Sequence, residues 1–168
     1  AKLIGQIYNE LGLLSSGHVV EEERKTLVGK YYDSASNAIS DAISRAQGGI
    51  LFIDNANNLY VEDDDRDPGR RIIEYLLKEL ENEGNRDWML ILAGSDPEMT
   101  TMLNYEKGLI SRLPNVFRFQ DYDEDQLIHI ADMYCNERKF ILSDDARTQL
   151  REVIRRDLSV KDNTFGNG

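Results

Sequence analysis

The 168-residue sequence is poor in the residues that most often announce chemistry: it has one cysteine, two histidines, three prolines and one tryptophan. Cys135 alone cannot close an internal disulfide, and with His18 and His129 it makes no cluster at metal-ligand spacing, so no structural metal is expected. No serine or threonine stands in a recognisable motif with a histidine base, which argues against nucleophilic catalysis of the triad kind. No apolar run approaches the ~20 residues that cross a bilayer, and the N-terminus lacks the basic, apolar and small-residue blocks of a signal peptide. A cytoplasmic chain without membrane contact is the expectation. Positive charge is also short: Lys and Arg total 20 against 31 Asp and Glu, a net charge of −11. Affinity for a phosphate backbone rests on Lys and Arg, so nucleic acid is not expected as a partner and another protein is.

What is present is the balance of a folded protein, with 40% hydrophobic and 30% charged residues and 12 glycines. Leu3, Ile4, Ile7, Leu11 and Leu14 recur at three and four, one stripe of a helix with no Ser, Thr, Asp or Asn cap before it. A short strand is expected around Val19 and Val20, then a helix over 34–46 with Ala35, Ala38, Ile39, Ala42, Ile43 and Ala46 on one face. The continuous apolar runs Ile50–Ile53 and Trp88–Ala93 read as strands buried on both faces of a parallel sheet. Between them Asp67 and Pro68 open a helix that buries Ile72, Ile73, Leu76, Leu77 and Leu80. Strand, helix, strand in this rhythm predicts a right-handed crossover in a layered α/β fold. Asp96 and Pro97 start another helix, and Val116–Phe119 is expected to be one more strand. Two helices follow with no strand between them, the first opened by Asp123 and Gln126 in capping-box spacing and the second by Ser143. The expected division is an α/β body over 1–121 and a helical piece over 122–168. The run Glu62-Asp63-Asp64-Asp65 reads as a solvated loop.

An apolar strand ending in an acid, Gly49-Ile50-Leu51-Phe52-Ile53-Asp54, matches the Walker B pattern, whose carboxylate holds the magnesium of a bound nucleotide. The same ending also arises where the next loop needs a turn former. The order of motifs resembles the CbxX/CfqX group of AAA+ ATPases, which includes red-type Rubisco activase and stage V sporulation protein K. Ala1–Gly5 and Leu11–Leu14 are similar to the helix after that family's phosphate loop, and Leu27-Val28-Gly29-Lys30-Tyr31-Tyr32 to its central-pore segment. Ile91-Leu92-Ala93-Gly94 resembles its sensor-1 strand, Gly108–Leu113 its arginine-finger segment, and Phe119-Gln120-Asp121-Tyr122 its passage into the helical lid. Phe165-Gly166-Asn167-Gly168 resembles the stretch before its sensor-2 arginine.

The resemblance implies an AAA+ three-layer sandwich with a parallel sheet and a helical lid, in a ring, a hexamer by expectation, that uses ATP and Mg2+ to remodel a protein client. By the same resemblance Asp54 would hold magnesium, and Ser95 or Asp96 would read the γ-phosphate. Arg112 would reach a neighbouring subunit's site, and Tyr31, with Tyr32 beside it, would grip the client at the pore. The plainer alternatives are a surface role for Arg112 and helix packing for the two tyrosines.

Three departures temper this. Asn55 stands where the family carries the glutamate that orients the attacking water, and a neutral amide cannot serve as a general base, so hydrolysis should slow by as much as ~10²–10⁴. Ile110 stands where the family often has a second arginine. The glycine-rich loop with its Lys and Ser/Thr, and the strand before it, are not among the 168 residues. The sequence is therefore expected to be an excerpt that on its own is inactive and binds ATP weakly, with unpaired strand edges where the middle strand would lie. Two rival readings stay open: a pseudo-ATPase with a structural or regulatory role, and a nucleotide-free α/β interaction domain in which Asp54 is only a turn former.

Overall fold

The computed structural model describes residues 1–28, 34–62, 64, 66–82, 84 and 86–160. The chain forms two compact units, Ala1–Val116 and Phe117–Gly168. In the first, the elements run α1 (Lys2–Glu10), β1 (Val19–Glu23), α2 (Arg24–Leu27), α3 (Ser34–Arg45), β2 (Ile50–Asp54), a 3-10 turn (Ala56–Leu59), α4 (Pro68–Glu81), β3 (Met89–Leu92), α5 (Asp96–Tyr105) and α6 (Lys107–Arg112). The second holds α7 (Glu124–Glu137) and α8 (Asp144–Ser159). None of the described helices is long and apolar enough to cross a membrane.

The sheet is parallel in the order β1-β2-β3, with Val19 opposite Ile50 and Ile50 opposite Met89. β2 lies between the other two, and its Ile50, Leu51 and Ile53 are fully buried, as a strand covered on both faces requires. Ala35, Ile39, Ala42 and Ile43 of α3 and Ile72, Ile73 and Leu76 of α4 join Leu51 and Ile53 in one core. Their three-and-four spacing puts them on one face of each helix, which is why the helices pack where the periodicity predicts. Trp88 enters the same core just before β3, with the Arg86 guanidinium 6.0 Å from its ring centre.

One ion pair ties several of these elements together. Arg24 of α2 donates to both carboxylate oxygens of Asp67, at 2.9 and 2.5 Å, and to the Asn58 carbonyl at 2.8 Å. Asp67 is buried and also caps α4, accepting from Gly69 N at 2.8 Å. The hydrogen bonds from Arg24, then the Gly69 amide, hold its carboxyl below the usual carboxylate range against the opposing effect of burial. A comparable clamp joins β1 to α3, where buried Glu22 accepts from Arg45 at 2.5 Å and from Thr26 at 2.5 Å.

Not every expectation holds. The segment Val116–Phe119 forms no strand, and Val116, Phe117 and Phe119 are exposed. A strand needs a neighbour for its amides and carbonyls, and although β3 bonds only to β2 and keeps its other edge open, this segment does not pair with it. Nor is β3's unpaired edge sealed in the interior, because Met89, Ile91 and Leu92 are half-buried and water reaches them. The stripe on α1 likewise stays outside, with Leu3, Ile7 and Leu11 exposed. That helix docks through Gly5 instead, where an added Cβ would stand 2.2 Å from the Gly17 carbonyl oxygen.

In the second unit α7 starts with the expected reciprocal box, Gln126 N to Asp123 Oδ1 at 2.8 Å and Asp123 N to Gln126 Oε1 at 2.9 Å. Ser143 caps α8. Glu124 takes hydrogen bonds from Arg155 and Arg151, which hold its carboxyl below the ordinary value, and Arg147 pairs with Asp132 at 3.0 Å.

The Arg24–Asp67 pair predicts a stability loss of about 2 kcal/mol for Asp67→Asn, because the half-buried Arg24 keeps its charge and loses charge-assisted hydrogen bonds to a buried carboxylate. Denaturant unfolding of the two proteins at neutral pH checks this. The folded carboxyl titrates below its unfolded counterpart, so its contribution is complete above the ordinary aspartate value of about 3.9 and disappears as pH falls through the lower folded value. Asp67→Asn should therefore flatten the acid limb of the stability profile.

Candidate functional site

Parallel pairing carries the C-terminal ends of β2 and β3 to one edge of the sheet. Ile53 stands opposite Leu92, Ala93 N donates to the Ile53 carbonyl at 3.0 Å, and Ala56 N donates to the Ala93 carbonyl at 2.8 Å. Asp54 and Asn55 after β2 thus lie beside Gly94, Ser95 and Asp96 after β3. This is the edge at which open α/β sheets bind ligands.

Asp54 is the last residue of β2 and its side chain is exposed. One carboxylate oxygen accepts from the Asn55 backbone N–H at 3.0 Å, and no other hydrogen bond or ion pair joins this carboxylate to the described residues. An exposed carboxylate at a strand end suits a hard cation held by one carboxylate together with waters and phosphate oxygens. The fit extends to the cation only: a backbone cradle for the phosphates is not found among the described residues. Asn55 sits at φ 47°, ψ 45°, the left-handed region that asparagine tolerates better than most side chains.

Next to this pair is a cluster that the sequence did not announce. Asn57 Nδ2 donates to Glu98 Oε2 at 2.9 Å and to Asn58 Oδ1 at 3.2 Å, and Ser95 Oγ donates to the same Glu98 oxygen. Asn57 Oδ1 is buried with no hydrogen-bond partner. Gly94 permits this approach, for a Cβ there would stand 2.3 Å from Asn57 Oδ1. The one sequence signal was the Ser95-x-x-Glu98 spacing, which belongs to any helix start and so does not single out a site.

Of the expected site residues, the structure brings together Asp54, Asn55, Ser95 and Asp96. Arg112 is placed elsewhere: at the end of α6 it pairs with Glu81 of α4 at 3.0 Å and donates to Ser111 Oγ at 2.9 Å. Tyr31 and Tyr32 lie outside the described residues, as does Phe165–Gly168.

Comparison with known proteins gives two family matches. Residues 2–120 match the ATPase family associated with various cellular activities (AAA), and residues 123–168 match the AAA lid domain. The chain is 38% identical over 172 residues to stage V sporulation protein K of Bacillus subtilis, covering 100% of this chain and 52% of that protein. It is 36% identical over 156 residues to the chloroplastic ribulose bisphosphate carboxylase/oxygenase activase of Cyanidioschyzon merolae, covering 93% and 50%. It is 34% identical over 156 residues to the chromosomal protein CbxX of Cupriavidus necator, covering 93% and 49%. The chain thus spans about half the length of the curated relatives it matches.

The Gly94–Asn57 contact is testable by a double-mutant cycle. Gly94→Ala should cost about 1 kcal/mol by pushing Asn57 off Glu98, one hydrogen bond's worth. In an Asn57→Ala background the same change should cost less, since only Met99 Cγ and Sδ, at 2.8 and 2.9 Å from the added Cβ, then have to give way, and they belong to a flexible side chain. Equal costs in the two backgrounds would show that the contact is not made.

Proposed function

The chain belongs to the AAA ATPase family, in its CbxX/CfqX group with an AAA lid, and from that premise we propose that the protein it comes from binds ATP with Mg2+ and hydrolyses it in a ring, a hexamer, to remodel a protein client in the cytoplasm. The observation that carries the reading is Asp54, an exposed carboxylate at the C-terminal edge of the central strand. Ser95 or Asp96 on the adjacent strand end is proposed to lie beside the γ-phosphate, where its state is read. The cation, when bound, supplies charge neutralisation at the transferring phosphoryl group. Asp54 holds it, and the rigid β2–β3 pairing fixes that carboxylate against the neighbouring turn.

Arg112 is proposed to act on a neighbouring subunit, which requires it to exchange Glu81 for phosphate. Both side chains are substantially exposed, so this surface pair is worth at most about 1 kcal/mol. Tyr31 and Tyr32 are the proposed grip on the client, by sequence resemblance. The relative named for activating ribulose bisphosphate carboxylase/oxygenase supports a protein as the client class.

Asn55 favours a second reading, a pseudo-ATPase that binds nucleotide and serves a structural or regulatory role. Turnover by the full-length protein separates the two. Under the leading reading it hydrolyses ATP measurably, Asn55→Glu accelerates it by roughly ten- to a hundred-fold, and Asp54→Ala abolishes the Mg2+-dependent rise in Tm that nucleotide produces. At a nucleotide concentration a hundred times its Kd that rise corresponds to about 2.7 kcal/mol. Nucleotide protection with no wild-type turnover supports the pseudo-ATPase, and no protection at all supports an interaction domain.

A further inference from the structure

The proposed hydrolytic edge has an amide at position 55, yet a carboxylate stands beside it. Glu98, in the first turn of α5, takes hydrogen bonds on a single oxygen from Ser95 Oγ and Asn57 Nδ2, the latter at 2.9 Å. The ordinary reason for a serine and a glutamate at this spacing is a capping box, in which each side chain accepts from the other residue's amide. That box is not made here: Ser95 is the N-cap of α5, but its side chain forms no capping hydrogen bond. Asp123 and Gln126 show the contrast, since they make both halves.

The difference has a chemical consequence. A hydroxyl has one hydrogen to give, and Ser95 gives it to Glu98, so toward solvent Ser95 Oγ presents only lone pairs. A phosphate oxygen also offers only lone pairs and gains nothing from such a group. Water can donate to it. A second fixed acceptor lies close by: Asn57 Oδ1, whose amide hydrogens are occupied by Glu98 and by Asn58 Oδ1 at 3.2 Å. One carboxylate therefore sets the polarity of two side chains beside Asp54.

We propose, building on the nucleotide-dependent reading above, that Glu98 is a positioning residue: it holds Ser95 as an acceptor, and Ser95 so held orients the attacking water in place of the acid absent at position 55. In the step, the water oxygen bonds to the γ-phosphorus while the bond from that phosphorus to the β–γ bridging oxygen breaks. The bridging oxygen leaves with the electron pair on ADP. The water proton hydrogen-bonded to Ser95 Oγ keeps the lone pair in line, and the other passes to a phosphate oxygen of the product.

The test is Glu98→Ala in the full-length protein, with and without Asn55→Glu. Glu98→Ala should lower kcat by roughly ten- to a hundred-fold while the KM for ATP and the nucleotide-induced rise in Tm stay within twofold of wild type. Glu98→Gln, which keeps a carbonyl oxygen to accept from Ser95, should recover part of the rate. With Asn55→Glu present, Glu98→Ala should have no further effect, because an acid at position 55 then orients the water. A wild-type kcat for Glu98→Ala, an equal loss of nucleotide affinity, or the same fractional loss in both backgrounds overturns the proposal. So does a wild type that binds nucleotide without turnover while Asn55→Glu turns over, an outcome that leaves nucleotide binding intact. Absence of nucleotide protection in both backgrounds removes the functional reading itself and this inference with it.

Discussion

The structure depends on the parallel pairing of β2 with a strand on either side. Because all three strands run the same way, their C-terminal ends meet at one edge, and whatever follows them in sequence becomes neighbours in space. Asp54 and Ser95 are 41 positions apart in the numbering, and only this constraint brings them to one place. The burial of Ile50, Leu51 and Ile53 makes it firm, since sliding β2 by one residue would exchange its two faces and disturb both covering helices. The geometry of the edge is thus set by apolar packing beneath it, and the polar residues above have little freedom to be elsewhere.

That division explains what the sequence could reveal. The strands β2 and β3 and the helices α3 and α4 were legible because burial writes itself as runs and three-and-four spacing, and α7 because Asp123 and Gln126 carry their cap in the spacing itself. Asp54, Asn55, Ser95 and Asp96 were legible as strand-end residues in a recognisable order. The short helix α2 was not, because four residues leave no period to detect. Val116–Phe119 read as a strand because composition records a preference for the extended state, whereas pairing depends on a partner that local sequence does not mention. Glu98 and Asn57 were missed for a similar reason: their meaning lies in which atom donates to which, and spacing alone gives Ser95 and Glu98 the wrong hydrogen bonds.

The two units are held by different forces. The first has a continuous apolar core, to which the Arg24–Asp67 and Glu22–Arg45 clamps add direction. In the second, Ile128 is the single buried apolar residue among those described, and α8 buries none. Its helices meet through Arg151, Arg155 and Arg147 on α8 and Glu124, Asp125 and Asp132 on α7. Exposed ion pairs of this kind are individually weak and are screened by salt. A unit built on them opens locally at lower free energy than one built on a core, so rearrangement should begin in residues 117–160 while the sheet stays intact.

Position 55 shows how a backbone requirement and a chemical one can oppose each other. The residue after β2 must turn into the 3-10 segment with φ at 47°, a conformation that most side chains resist by about 1 kcal/mol or more. Asparagine eases that strain, and the backbone N–H at the turn, which any residue but proline would supply, donates to the Asp54 carboxylate at 3.0 Å. An acid at the same position would supply charge but meet the turn less readily. Under the proposal the carboxylate is that of Glu98, on a regular helix, so the conflict does not arise: the turn keeps the residue that suits it, and a carboxylate still stands at the edge. On this view the amide at position 55 does not by itself mark a dead site, because what the chemistry needs is an oriented acceptor, and the strand order provides a second place from which to hold one.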